Sequence, residues 1–157
     1  MTSNGGEISW VNTLRYLGVH ICAAHKFLCS ICDAKKSFYR SFNCIFGKIG
    51  RIASENVIVE LLKSKCLSSL FYGLEACPLN KLQISSLEYA IHCVFRKIFV
   101  TKSPTVVNDC LLFFNCSVAD AIYRRKTKFL SKLQHTDNTL LAMFCSNMAA
   151  EIAKLPL

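Results

Sequence analysis

Residues 79–98 read LNKLQISSLEYAIHCVFRKI and show the clearest helical pattern in the chain. Apolar side chains recur there at intervals of three or four residues, which places them on one face of a helix. Asn80 marks the predicted start of this helix, and Leu79 before it is a candidate to pack against the first turn. The residues predicted to face the core are Ile84, Leu87, Ile91, Val94, Phe95 and Ile98.

Five more helices are predicted from the same periodicity and from capping signals. Their expected starts and ends are Asp33 to Ile49, Ser54 to Gly73, Ser103 to Phe114, Ser117 to Leu133, and Thr136 to Lys154. Gly73 is the clearest stop signal, since glycine commonly closes a helix. The predicted fold class is mainly α, a bundle of about five to six helices with a short N-terminal β-hairpin.

Residues 8–22 favour β-strands, because β-branched and aromatic side chains are frequent in that segment. The turn of the predicted hairpin is placed at Asn12–Thr13. Alternation along the second strand then puts Tyr16, Gly18 and His20 on one face. Since two strands alone are marginally stable in water, the hairpin is expected to lie on another element. Everything after the hairpin is predicted to be helical.

The chain divides into four predicted regions. A disordered leader at 1–7 precedes the hairpin at 8–22, and helical regions follow at 23–100 and 101–157. The leader lacks the basic and apolar parts of a signal peptide. No uncharged apolar run reaches the roughly 18 residues that a membrane span needs. The protein is therefore expected to be intracellular, in the cytoplasm or the nucleus, and to have no membrane partner.

The composition favours a folded, basic protein. Hydrophobic residues make up 52% of the chain and charged residues 18%, which supports a sizeable core and argues against disorder. Nineteen Lys and Arg against ten Asp and Glu give a formal net charge of +9. A surplus of this size favours polyanionic partners, nucleic acid among them.

Catalytic constellations are not evident in the sequence. No two of the ten acidic residues are adjacent, whereas a two-metal site needs carboxylates clustered around ions about 4 Å apart. The four histidines do not fall into a recognisable nucleophile motif with serine or cysteine. This chain is therefore not expected to be an enzyme.

Ten cysteines raise the question of metal or disulfide sites. Cys22, His25, Cys29 and Cys32 supply four candidate zinc ligands in one short stretch. Structural zinc sites usually separate two ligand pairs by a loop of about a dozen residues or more, and these four instead run into a predicted helix. Packing of the thiols as small apolar groups is the preferred interpretation. No cofactor is expected, and a zinc site remains the alternative.

The densest basic cluster lies on the helix predicted after Ser117. Its members are Arg124, Arg125, Lys126, Lys128 and Lys132. Lys36 and Arg40 form a second, smaller basic edge on the first predicted helix. Basic residues on an amphipathic helix are often only its solvated face. In a chain this basic, however, the larger cluster favours contact with phosphates.

Two motifs, taken together, resemble a known family. Residues 16–19 read YLGV, and residues 65–76 read KCLSSLFYGLEA. In this order they resemble the segment that follows the catalytic palm in reverse transcriptases of non-LTR (LINE-type) retrotransposons. The resemblance spans about residues 8–133. It implies that the hairpin corresponds to the primer grip of that RNA-directed DNA polymerase family and the helices to its thumb.

By this resemblance, Tyr16 and Gly18 would lie near the 3′ end of the primer, and Lys36 and Arg40 would contact duplex phosphates. Glycine suits such a position because it lets the backbone approach a ligand closely. Phosphate contacts hold a duplex without reading its sequence. The adjacent Asp-Asp pair of a polymerase is missing from this sequence, so polymerase activity is not implied.

The expected function is that of a truncated, reverse-transcriptase-derived fragment that binds template–primer nucleic acid non-specifically and is catalytically inert alone. Its ligand would be an RNA–DNA or DNA duplex. The alternative is a helical protein–protein interaction module with no nucleic-acid role. Apolar surface that a palm would otherwise cover also favours self-association.

Overall fold

The computed structural model describes residues 9–50 and 52–134. Strands come first, with β1 at Thr13–Tyr16, β2 at Val19–Cys22 and β3 at Leu28–Ser30. The helices are α1 at Cys32–Ile49, α2 at Glu55–Leu61, α3 at Leu67–Leu70, α4 at Lys81–Ile98, α5 at Pro104–Phe113 and α6 at Val118–Gln134. A π-helical turn at Leu62–Cys66 joins α2 to α3. The mainly α fold with an N-terminal hairpin is confirmed. The predicted leader and the helix predicted from Thr136 to Lys154 lie outside the described residues.

The helix starts follow the predicted capping chemistry most closely at α4. The Asn80 side chain accepts a hydrogen bond from the Gln83 backbone N–H at 2.8 Å, and the Gln83 side chain accepts one from the Asn80 N–H at 3.0 Å. These reciprocal bonds satisfy two donors that the first turn would otherwise leave unpaired. At α6, the Asp120 N–H donates to the Ser117 hydroxyl at 3.3 Å. Ser103 precedes Pro104 of α5 as predicted, but its hydroxyl lies against that of Thr105.

The hairpin turn lies at Leu17–Gly18, so the predicted turn at Asn12–Thr13 is wrong. Thr13 pairs with Cys22, and Tyr16 pairs with Val19 across an antiparallel ladder. The two turn residues have φ of +46° and +82°, which is the backbone of the two-residue turn whose twist matches paired strands. The predicted face containing Tyr16, Gly18 and His20 therefore does not form. In the observed register Arg15 lies opposite His20 instead.

A third strand, β3, lies where the sequence predicted a run into helix. Its residues pair with β2, with His20 opposite Ser30 and Cys22 opposite Leu28. The Gln83 side chain of α4 donates a hydrogen bond to the Cys29 carbonyl at 2.8 Å, which ties the sheet to the helices. The prediction that everything after the hairpin is helical is therefore wrong for Leu28–Ser30. Short strands such as this are stabilised by their partners rather than by local propensity.

The second predicted helix is a helical run interrupted by the π-helical turn. Leu62 and Cys66 both lie inside that turn and both are fully buried. The wider turn shifts the helical register, and the residues after it continue into the core through Leu70. The helix ends at Leu70, three residues before the predicted stop at Gly73, which has φ of +72°.

The core lies between α1, the run from α2 to α3, and α4. Phe38 and Phe42 of α1 are buried there as predicted, together with Phe95 of α4. The predicted stripe of α4 is confirmed from Leu87 to Ile98, while Ile84 is half-buried. Cys66, Cys77 and Cys116 also pack in the interior as small apolar groups, but Cys44 is exposed. The sheet is tied to α4 by the hydrogen bond from Gln83 to the Cys29 carbonyl, and β1 is exposed along its whole length.

The segment that spans α5 and α6 is rich in apolar residues. Pro104–Leu133, which spans α5 and α6, is long and apolar enough to cross a membrane by length and composition alone. Residues 114–117 separate the two helices. A single stretch of this kind is weak evidence for a membrane span.

Candidate nucleic-acid interface

The two motifs that resemble the polymerase family contact each other in the fold. The Tyr72 hydroxyl donates a hydrogen bond to the Leu17 carbonyl at 3.0 Å. A Cβ placed on Gly18 would lie 3.1 Å from Cε1 of the same tyrosine. The tyrosine ring therefore rests directly on the hairpin turn. This contact joins segments that are 55 residues apart in sequence.

Gly73 makes the second contact between the motifs. A Cβ at this position would lie 2.6 Å from Cγ2 of Val19 on β2, closer than two carbon atoms approach without displacement. Its φ of +72° is also in the left-handed region that favours glycine. Gly73 thus lets the chain after α3 pass directly against the hairpin, for reasons of backbone conformation and of space.

A cleft of about 840 Å³ opens beside this contact. We call it the hairpin cleft; it lies between the sheet, α1 and the end of α3. Its cationic side chains are Arg15, Lys36 and Arg40, His20 adds an imidazole, and its hydroxyl groups come from Ser30, Ser37, Ser68, Ser69 and Tyr72. Cations and hydroxyls together are the groups that contact phosphates most often. The cleft therefore has the chemistry of an anion-binding surface.

The structure brings three of the predicted site residues into this cleft. Gly18, Lys36 and Arg40 all line it, although they come from a turn and from two points along α1. Tyr16 is exposed on β1, outside the lining of the cleft. Arg15 and His20, which sequence reasoning missed, do line it. Their pairing across the hairpin was hidden by the misplaced turn.

Asp33 is the carboxylate of the hairpin cleft. Its Oδ1 lies 3.1 Å from Lys36 Nζ, and its Oδ2 lies 3.4 Å from His20 Nδ1. The hydrogen bond and the charge of Lys36 hold the pKa of Asp33 below its ordinary value, with smaller contributions from His20 and Arg15. One carboxylate thus contacts both Lys36 and His20, and with Arg15 and Arg40 also present the cleft keeps a positive balance.

Replacing Lys36 with methionine is expected to raise the pKa of Asp33 toward its ordinary value, because the main source of the shift is removed. Since the folded-state pKa is lowered, ionised Asp33 favours folding above its unfolded pKa of about 3.9. That contribution is lost as the pH falls through the lowered pKa. A carboxyl NMR titration of both proteins measures the shift.

Lys35→Met is the matched control for this titration. Lys35 is the neighbour of Lys36 on α1, but its ammonium donates to the Ser86 hydroxyl at 2.6 Å. The pKa of Asp33 should therefore be nearly the same in this variant as in the wild type. Equal titration curves for Asp33 in the wild type and in Lys36→Met would contradict the assigned ion pair.

A second basic cleft, of about 370 Å³, lies between α6 and the run from α2 to α3. We call it the α6 cleft. Arg124, Arg125 and Lys128 of the predicted cluster line it, together with Lys63 from the π-helical turn. Lys126 is half-buried and Lys132 is exposed on the same helix, outside this lining. Lys63 was missed because it lies on the π-helical turn, and the regular period of an α-helix does not predict which face such a turn presents.

The cations of the α6 cleft are held by neighbouring groups. The Arg125 guanidinium lies 5.7 Å from the centre of the Phe71 ring, a favourable cation–π contact. Arg124 Nε donates to the Asp120 carbonyl at 3.3 Å. Lys63 Nζ lies 2.9 Å from a Glu60 carboxylate oxygen. These contacts restrict the side chains, which lowers the entropy lost when a ligand binds.

The two clefts adjoin each other at Ser68, which lines both of them. Three cations of the α6 cleft belong to the predicted cluster, and two cations of the hairpin cleft belong to the predicted basic edge. Tertiary folding therefore brings both predicted basic groups to adjoining surfaces.

The four candidate zinc ligands take separate roles. Cys29 is buried, and its thiol is hydrogen-bonded to that of Cys77, whose pKa is raised to about 12 by burial and by this neighbour. Cys32 is exposed at the start of α1, Cys22 lies at the end of β2, and His25 is exposed in the loop between β2 and β3. Within residues 9–50 and 52–134, no group of three or more His, Cys, Asp or Glu is arranged to hold a metal ion. The zinc alternative has no geometric support in that part of the chain.

Comparison with known proteins adds no relative. No family model matches the chain, and no curated protein or solved structure shows significant similarity to it. The resemblance to reverse transcriptases therefore depends on the two sequence motifs alone.

Proposed function

We propose that this chain acts as a thumb-like nucleic-acid-holding region related to non-LTR retrotransposon reverse transcriptases. Its ligand would be a template–primer duplex, RNA–DNA or DNA, held without regard to sequence. The observation that carries the proposal is the contact between the motifs at residues 16–19 and 65–76 beside a cleft lined by three cations and a histidine. Catalysis is not part of the proposal, because the sequence has no adjacent Asp-Asp pair.

The charges on the two clefts support a phosphate ligand. Binding of a protein to nucleic acid draws most of its non-specific affinity from cations that displace counterions at phosphates. Eight cationic side chains, counting His20 when protonated, line the two clefts: Arg15, His20, Lys36, Arg40, Lys63, Arg124, Arg125 and Lys128. The carboxylates of Asp33 and Glu60 pair with part of this charge. The surplus favours a polyanion whose phosphates are spaced along a backbone.

The hairpin turn supports the further assignment of a primer-grip role. Gly18 lies at the cleft with φ of +82°, and its backbone is covered on one side by the Tyr72 ring. The missing side chain is on the side that faces Tyr72, so glycine at this position lets the ring pack against the turn. The proposal places the sugar–phosphate end of one strand against this turn.

The test is fluorescence anisotropy of a short RNA–DNA hybrid across a salt series. The variant replaces Arg124, Arg125, Lys126 and Lys128 with alanine. Its affinity is expected to fall by about tenfold or more, and the slope of log K against log salt should flatten by about 0.9 for each lost phosphate contact. Far-UV circular dichroism checks that the variant is folded.

The control variant removes the same number of charges elsewhere. Lys26, Lys48, Lys81 and Lys102 are exposed and lie outside the lining of both clefts. Changing these four to alanine should reduce affinity much less than the α6 variant does. Equal losses in the two variants would mean that only net charge matters, and this would contradict a specific interface.

A second candidate function, a protein–protein interaction module, is favoured by the outer surface of the hairpin. A groove of about 600 Å³ is lined there by apolar side chains, and Trp10 is fully exposed beside it. Val11 and Leu14 are also more than half exposed. If the wild type fails to bind the hybrid at low salt, and sediments as an oligomer that salt does not dissociate, this second function is the better explanation.

A further inference from the structure

An exposed aromatic side chain stands at the C-terminal end of α5. Phe113 is 81% exposed, and Leu112 beside it is 77% exposed. Neither side chain contributes to the buried core. A large apolar side chain that is exposed to water raises the free energy of the folded protein in proportion to its exposed area. An exposed aromatic beside a binding surface is therefore a candidate contact for a ligand.

Phe113 is connected to the α6 cleft through two contacts. Its ring packs edge to face on Phe114, with the ring centres 5.0 Å apart and the planes at 84°. The ammonium of Lys63 lies 5.8 Å from the centre of the Phe114 ring. Lys63 in turn lines the α6 cleft. The exposed ring therefore lies near the end of the basic surface.

The support under Phe113 is rigid. Phe114 packs against Phe99 at 5.8 Å and against Phe95 at 6.4 Å, measured between ring centres. Phe95 is completely buried on α4. The exposed ring is thus attached to the core by a chain of aromatic contacts. A rigid aromatic loses little entropy when a second ring stacks on it.

We infer that Phe113 stacks on an unpaired base of a strand whose phosphates lie in the α6 cleft. Proteins that hold single strands combine a basic groove with aromatic rings on which bases stack, without preference for sequence. The inference rests on the proposed function and deepens it. The preferred ligand is a duplex that continues into a single-stranded segment, with the segment reaching the end of α5.

The charge of the α6 cleft favours nucleic acid over an anionic membrane as the ligand. Lys63, Arg124, Arg125 and Lys128 surround a concave surface, which suits a narrow phosphate backbone better than a flat layer of headgroups. The apolar tip at Leu112–Phe113 offers two side chains for insertion. Stable attachment to a membrane surface needs a larger apolar face.

The experiment compares a blunt RNA–DNA hybrid with the same hybrid carrying a single-stranded overhang that contains 2-aminopurine. The wild type is expected to bind the overhang form about tenfold more tightly, the effect of roughly one stacked base. Phe113→Ala should lose this preference while it binds the blunt hybrid normally. Phe113→Tyr keeps an aromatic ring and should retain the preference for the overhang form. Quenching of 2-aminopurine fluorescence should follow the same pattern.

Leu82→Ala is the matched control, because Leu82 is 82% exposed on α4 and lies outside the lining of both clefts. It should leave both affinities unchanged. Equal binding of the two hybrids by the wild type overturns the inference but leaves the proposed function standing. If the folded wild type binds neither hybrid, both the inference and the proposed function are overturned. Phe113-dependent binding to anionic vesicles, without any effect on the overhang, overturns the inference in favour of a membrane ligand.

Discussion

Replacing Gly73 with alanine is expected to lower the free energy of unfolding by about 2 to 4 kcal/mol. One part comes from the backbone, because alanine at φ of +72° is strained. The other part is steric, since the new Cβ would lie 2.6 Å from Cγ2 of Val19. Urea denaturation followed by far-UV circular dichroism measures the loss. Binding to the hybrid should also weaken, because Val19 lines the hairpin cleft and must move.

The two contributions can be separated with a second substitution. Val19→Ala removes the atom that the new Cβ would meet, so Gly73→Ala should cost less in that background. The remaining cost is the backbone strain at position 73. If Gly73→Ala destabilises both backgrounds equally, the predicted overlap with Val19 is wrong.

Gly47→Ala is the control for the general effect of removing a glycine. Gly47 lies inside α1, and an added Cβ would meet nothing within 4 Å. Alanine in this position is expected to stabilise the protein by about 0.5 to 1 kcal/mol. The opposite signs of the two substitutions would show that the effect at Gly73 depends on its conformation and its neighbour.

Replacing Phe95 with alanine is expected to lower the free energy of unfolding by about 3 to 5 kcal/mol. The side chain is completely buried, and its ring lies 5.9 Å from that of Phe99 and 6.4 Å from that of Phe114. Truncation removes apolar burial and leaves a cavity that α4 and α5 share. For a domain of ordinary stability, this is a large part of the total. Urea denaturation is again the measurement.

Leu82→Ala on the same helix is the control for Phe95. Because Leu82 is largely exposed, its truncation should change stability by no more than about 0.5 kcal/mol. Phe95→Leu should fall between the two, since it keeps most of the apolar volume. A denaturation midpoint for Phe95→Ala equal to that of the wild type would contradict the central position of this ring.

The helices could be predicted from the sequence because their signals are local. The stripe from Leu87 to Ile98 repeats at the helical period, and Asn80 with Gln83 makes the capping bonds that those residue types favour. The end of the helical run at Leu70 lies within one turn of the predicted stop at Gly73. These features depend on residues within one or two turns of each other, so no knowledge of distant contacts is needed.

The hairpin turn could not be located in this way. Leu17 is a large apolar residue and gave no turn signal, yet it has φ of +46°. The Tyr72 hydroxyl, 55 residues away in sequence, bonds to its carbonyl. A tertiary contact thus stabilises a conformation that the local residue type disfavours. Strand β3 was not predicted, because its pairing with β2 and the hydrogen bond that it accepts from Gln83 are both non-local.

The amino-acid sequence by itself determined the helical class, most of the helix starts within residues 32–134, and the residues that carry positive charge. Only the tertiary structure decided which charges meet. It placed Lys36 and Arg40 beside Arg15 and His20, and it brought Lys63 to the basic cluster of α6. The physical reason is the distance along the chain over which each kind of interaction acts. Periodicity and capping act between neighbours along the chain, whereas a cleft is formed by packing between elements that are far apart in sequence.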